Sequence, residues 1–164
     1  MVERIEGGIT APAGFTAAGV ACGIKASGLD LALLVATPAA RAAGIFTTNL
    51  AVAAPVVVTR EHLARSGATT RAVVVNSGCA NACTGPSGLD VARAMADDTA
   101  QAVGCPPEQV LVSSTGVIGA SLDPAKIKAG VLSATQTLGR DLSLIHISEP
   151  TRRTPISYAV FCLK

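Results

Sequence analysis

Up to about residue 84 the chain consists of short apolar runs rich in Val, Ile and Thr, each cut off by Gly or Pro within a few positions. Runs of that length with that punctuation favour strands over helices. They predict strands over Phe15–Cys22, Leu31–Thr37, Ala43–Thr48, Ala54–Thr59 and Arg71–Asn76, with a short helix over Glu61–Ser66 closed by Gly67. From Pro86 the period changes. Ala92, Met95, Ala96 and Val103, with the methyl of Thr99 filling the gap, recur at spacings of three and four and place one apolar stripe on a helix over Gly88–Val103. Gly104 and the Pro106-Pro107 pair stop it. Val110–Ser113 reads as a strand again, and Asp123 before Pro124 is an N-cap for a helix that buries Ile127, Val131, Ala134 and Leu138 and ends at Gly139. The alternation predicts a layered α/β (α+β) domain in which helices cover a mixed sheet, with the Val-rich strands buried on both faces. No internal repeat is visible.

Composition breaks this picture at one place. Every Gly, and every Ala except Ala159, precedes Ser143. The formal charge of +2 also belongs to the last stretch, where Arg152, Arg153 and Lys164 face only Glu149. That stretch, Leu144 to Lys164, resembles a conceptual translation of sequencing-adapter DNA. Residues 1–143 are therefore expected to form the domain and residues 144–164 a non-native tail in which His146, Arg152, Arg153 and Cys162 carry no function. The domain itself is charge-balanced. It lacks the basic patch and the aromatic platforms of nucleic-acid binders, since the only aromatics are Phe15, Phe46, Tyr158 and Phe161. No run of about 18 apolar residues exists, so no membrane span is expected. Met1 to Gly8 has no basic start feeding an apolar segment, which points to the cytoplasm. An odd count of 5 Cys in a chain of this size points to reduced thiols.

Two segments carry candidate chemistry. In Val110–Gly119 a strand delivers Ser113, Ser114 and Thr115 and then Gly116, where backbone amides free of side-chain obstruction can point into a cleft. The Thr115 hydroxyl and the Gly116 N–H suit an anion or a developing oxyanion. The competing reading is a turn in which Ser114 and Thr115 satisfy backbone groups. The second segment, Val75–Gly85, follows another Val-rich strand and reads as a pocket wall or a tightly packed loop. Cys79 and Cys83 lack the further Cys or His partners a zinc site needs. A nucleophilic Cys would find only His62 as a base outside the tail. Gly7-Gly8 precedes a strand and no Walker-type loop is present, so a nucleotide site is unsupported. Asp97 and Asp98 read as the solvated face of their helix.

Four stretches taken together, GGITAPAGF at 7–15 with AGVACGIK at 18–25, AGIFTTN at 43–49, VVVNSGCANACTG at 73–85 and STGVIG at 114–119, resemble the N-terminal part of the ornithine acetyltransferase (ArgJ) family. The resemblance covers residues 7 to about 141. It implies a layered α-β-β-α fold, incomplete here, and an arginine-biosynthesis enzyme that moves acetyl from N2-acetylornithine to glutamate. In bifunctional members acetyl-coenzyme A is a second acetyl donor, as co-substrate; no metal or other cofactor is implied. The family cuts itself at an Ala-Thr bond, and the Thr that begins the second chain takes the acetyl group on its hydroxyl; the two products form a two-plus-two heterotetramer. The family's oxyanion pair falls on Thr115, through its side chain, and Gly116, through its backbone.

Two departures accompany the match. Cys79 stands where the family often has Asn. Ala134-Thr135 reproduces the letters of the cleavage bond inside an expected helix, without the family's Gly-, Asn- and Met-containing surroundings. The nucleophile and the later substrate-binding groups are therefore expected to be missing from residues 1–164, which alone should be inactive. The rival reading is a non-catalytic domain that binds a small ligand or anion at the same turn.

Overall fold

The computed structural model describes residues 8–140, and the expectations about residues 144–164 lie outside them. The elements are β1 (Phe15–Val20), β2 (Leu31–Arg41), α1 (Ala54–Arg65), β3 (Thr69–Asn76), α2 (Gly85–Val103), a 3-10 turn at Pro107–Gln109, β4 (Val110–Ser114) and α3 (Pro124–Gln136). The strands form one sheet in the order β1-β2-β3-β4. The first two pairings are antiparallel and β3 pairs with β4 in parallel, with α2 as the crossover that a parallel pair requires. Ala18, Leu33, Val74 and Val112 lie in one row across the sheet, and this face packs against Val58 of α1, Met95 and Ala96 of α2, and Ile127 and Val131 of α3. Ala17, Ala32, Leu34 and Leu111 on the opposite face are buried as well. The mixed α/β sheet with a helical cover is thus the architecture predicted, but burial on both faces holds for β2 and the start of β4 and not for the Val-rich β3, where Val73 and Val75 are only half-buried on the face away from the helices.

The helices α2 and α3 follow their patterns closely. Thr99 is fully buried in the α2 stripe and turns its hydroxyl back to Met95 O at 2.7 Å. Gly104 closes α2 in the left-handed region, at φ +73°. The Asp123 carboxylate accepts from Ala125 N–H at 2.9 Å as the α3 cap.

Two strand expectations are corrected. Ala54–Thr59 is the first half of α1. Its β-branched run looked like a strand, but Pro55 suits a first helical turn, and the buried residues Ala54, Pro55, Val58, Thr59 and His62 share one helical face. The deciding contact is tertiary. β4 is a sheet edge, and α1 satisfies its outward backbone groups: Thr59 Oγ donates to Val112 O at 2.8 Å and accepts from Val112 N–H at 3.0 Å, while His62 Nδ1 donates to Val110 O at 2.7 Å. Unpaired buried groups of that kind cost about 1–3 kcal/mol each, more than the few tenths by which β-branching disfavours a helical residue. Ala43–Thr48 is also not a strand. It packs beside α1, with the Arg60 guanidinium 5.1 Å from the Phe46 ring centre. β2 instead runs on to Arg41 past an irregularity between Val35 and Ala40.

Candidate active site

Because β3 and β4 run parallel, the loops that leave them open at the same end of the sheet. The ladder continues past the strands: Thr115 N–H donates to Asn76 O at 3.0 Å, Val117 N–H to Gly78 O at 3.2 Å, and Ala80 N–H to Val117 O at 2.9 Å. Side chains complete the stitching. Ser114 Oγ donates to Cys79 O at 3.1 Å and accepts from Asn81 N–H at 3.0 Å, while Asn76 Nδ2 donates to the same carbonyl at 2.8 Å. Asn81 also donates to Gly88 O at 2.8 Å and accepts from the Thr84 hydroxyl at 2.6 Å, fixing the start of α2 to this loop.

This network separates the two residues that the turn reading had joined. Ser114 does satisfy backbone groups, those of the neighbouring loop. Thr115 does not: the hydroxyl of this half-buried residue and the N–H of the exposed Gly116 have no hydrogen-bond partner among the described residues. Thr115 and Gly116, adjacent in the chain, lie just past the end of β4, each with a donor that no described residue takes up. Gly116 sits at φ +134°, and a Cβ there would lie 2.3 Å from Gly78 C and 2.5 Å from Cys79 N. Only glycine permits that approach.

Asp30, which the sequence reading did not single out, braces this end of the sheet. It is fully buried, and its carboxylate accepts from Cys22 N–H at 2.7 Å, Ile24 N–H at 2.7 Å and Lys25 N–H at 2.9 Å. Its own carbonyl accepts from Ser77 N–H at 2.8 Å. The loop it gathers rests on Gly78, where a Cβ would meet Lys25 Cγ at 2.4 Å. The one available signal was a carboxylate immediately ahead of the Leu31–Val35 run. Burial pushes this carboxyl's pKa up, but the N–H groups of Cys22, Lys25 and Ile24 and the Cys22 thiol outweigh that and hold it below the ordinary value. A carboxyl with a depressed folded-state pKa contributes stability that is present above its unfolded pKa of about 3.9 and lost as pH falls through the lower folded value. Urea unfolding midpoints should therefore fall below about pH 4, and Asp30→Asn should flatten that acid limb while lowering stability at pH 7. An unchanged limb would remove Asp30 as its source.

The remaining candidates sort by the same geometry. Burial and the adjacent Asp30 push the Cys22 thiol up to about 12, and burial raises Cys79 and Cys105, so these thiols are poor nucleophiles at neutral pH. His62 holds the β4 edge, away from the rim. Asp97 is exposed, and Asp98 pairs with Lys128 of α3 at 2.9 Å. Ala134 is fully buried within α3, and Thr135 donates its hydroxyl to Leu132 O at 2.8 Å. No described helix is long and apolar enough to cross a membrane, and no described cluster of three His, Cys, Asp or Glu could hold a metal ion.

An arginine biosynthesis bifunctional protein ArgJ from Thermotoga neapolitana is 47% identical over 130 residues, covering 79% of this chain and 33% of that protein. The ArgJ protein of Chlorobaculum tepidum is 48% identical over 128 residues, covering 78% of this chain and 32% of that one. The chain spans about a third of the length of these curated relatives. Among solved structures, ornithine acetyltransferase of Mycobacterium tuberculosis complexed with ornithine superposes with a TM-score of 0.83 at 40% identity, covering 96% of this chain and 90% of that one. The ArgJ structure from Bacillus halodurans gives 0.74 at 41%, covering 77% and 65%. The sequence profile of the ArgJ family matches residues 16–153, and with fold, motifs and profile in agreement, the chain belongs to the ArgJ family.

Proposed function

We propose that this chain is the N-terminal portion of a glutamate N-acetyltransferase of arginine biosynthesis, working on N2-acetylornithine and glutamate. The observation that carries the reading is the pair of free donors at Thr115 and Gly116 on a rim where two parallel strands end. Such donors stabilise an acyl oxygen as it becomes negative.

In this reading the nucleophile is the N-terminal Thr of a second chain from the same precursor, partnered in a heterotetramer in the cytoplasm. Its hydroxyl attacks the acetyl carbonyl, and its own amine takes the proton. The oxygen of the tetrahedral intermediate lies between Thr115 Oγ and Gly116 N–H. Collapse breaks the C–N bond, ornithine leaves with a proton on its amine, and the acetyl group remains as an ester on Thr. The glutamate amine then attacks that ester through the same oxyanion site and regenerates the free hydroxyl. The position of Ala134-Thr135 inside α3, with Ala134 buried, supports a cleavage bond elsewhere in the precursor.

The test is an assay of N2-acetylornithine with glutamate. The full-length gene product is expected to form N-acetylglutamate, and the polypeptide of residues 1–164 alone is expected to form none. Turnover by residues 1–164 alone would overturn the two-chain reading. Stoichiometric anion binding without transfer by the full-length product would favour a binding domain instead.

A further inference from the structure

Ser77 stands one residue past β3, and Thr115 one residue past β4. The parallel register pairs Asn76 with Ser114, and the Thr115 N–H to Asn76 O bond carries the ladder one step further, so Ser77 and Thr115 are lateral neighbours. Alternation along the strands assigns Asn76 and Ser114 to the helix-covered face, in line with Val74 and Val112, and Ser77 and Thr115 to the other.

Ser77 is only 5% exposed, and its Oγ has no hydrogen-bond partner among the described residues. Buried hydroxyls are normally paired. Its backbone is held in place, with its N–H on Asp30 O and the following Gly78 carbonyl on Val117 N–H. Of the other buried oxygens without a partner, Asn76 Oδ1 belongs to the helix-covered face, and Ser66 and Thr70 lie at the opposite end of β3. Among the described residues, Ser77 is the one with a buried unpaired side-chain oxygen whose backbone lies beside Thr115 at this end of the parallel pair.

We propose that the Ser77 hydroxyl is a third substrate-contacting donor of this site, directed at the same acyl oxygen as Thr115 Oγ and Gly116 N–H. The proposal rests on the oxyanion reading above. Ser77 keeps its proton throughout, so its contribution is hydrogen bonding that strengthens as the oxygen gains charge.

The test compares Ser77→Ala, Ser77→Thr and Thr115→Ala in the full-length gene product, with rates normalised to the folded fraction. Ser77→Ala is expected to lower kcat for acetyl transfer roughly tenfold to a hundredfold, with KM for N2-acetylornithine within about twofold and no loss of melting temperature. Ser77→Thr, which keeps a hydroxyl, is expected to recover most of the rate. If Ser77→Ala keeps the parent kcat while Thr115→Ala loses it, the Ser77 assignment fails and the oxyanion pair stands. If Thr115→Ala also keeps the parent rate, the oxyanion reading fails with it. A Ser77→Ala variant that does not fold, or whose rate falls only with its folded fraction, marks Ser77 as structural and overturns the proposal.

Discussion

Thr115→Ala in the full-length gene product is expected to lower acetyl transfer to glutamate by about a hundredfold to a thousandfold, the loss that follows removal of one oxyanion donor. The fold should be nearly indifferent to the change. The Thr115 hydroxyl has no described partner, the side chain is half-buried, and the backbone N–H that ties β4 to β3 remains on Asn76 O. Neighbouring Ser114 is the useful contrast, because its hydroxyl both donates to Cys79 O and accepts from Asn81 N–H. Ser114→Ala should therefore lose stability and Thr115→Ala should lose rate. Thr115→Ser keeps the donor and should retain most of the activity. A Thr115→Ala enzyme with the parent kcat would remove the oxyanion pair from the mechanism.

That contrast also marks how far the amino-acid pattern alone could reach. The stripe on α2, the Asp123 cap of α3, and a strand ending in Thr115-Gly116 were all legible, because each depends on residues within one or two turns of one another. The α1 helix was not. Val56, Val57, Val58 and Thr59 form a strand-like run, and what makes them helical is the edge of β4, some fifty residues later, whose Val110 and Val112 backbone groups need His62 and Thr59. The brace around the site was hidden for the same reason. Asp30, Ser77, Gly78 and Gly116 converge only once β3 and β4 are placed in parallel register, and no local spacing announces that pairing. The resemblance to the ArgJ family supplied a role for Thr115 and Gly116; the register adds why the turn must end in glycine.

Gly116→Ala should therefore be the more damaging substitution, for stability and rate together. The residue sits at φ +134°, where an L side chain is strained, at a cost of about 1–3 kcal/mol. Its added Cβ would also lie 2.3 Å from Gly78 C and 2.6 Å from Gly78 O, which are backbone atoms and cannot rotate away. Relieving that overlap means moving the Ser77–Cys79 segment off β4, a repacking that costs about 1–3 kcal/mol more. Gly119 is the control, because it shares a positive φ of +97° but a Cβ there meets nothing within 4 Å. Urea unfolding should thus show Gly116→Ala about 1–3 kcal/mol less stable than Gly119→Ala, the difference being the overlap alone. The rate should fall further than in Thr115→Ala, since the same shift carries away the Gly116 N–H and displaces Ser77 and Thr115 relative to each other. Equal stability of the two alanine variants would mean that the Gly78–Cys79 peptide yields freely. A loop that yields freely would not hold donors in place for a developing charge, and the preorganisation on which the catalytic reading depends would be lost with it.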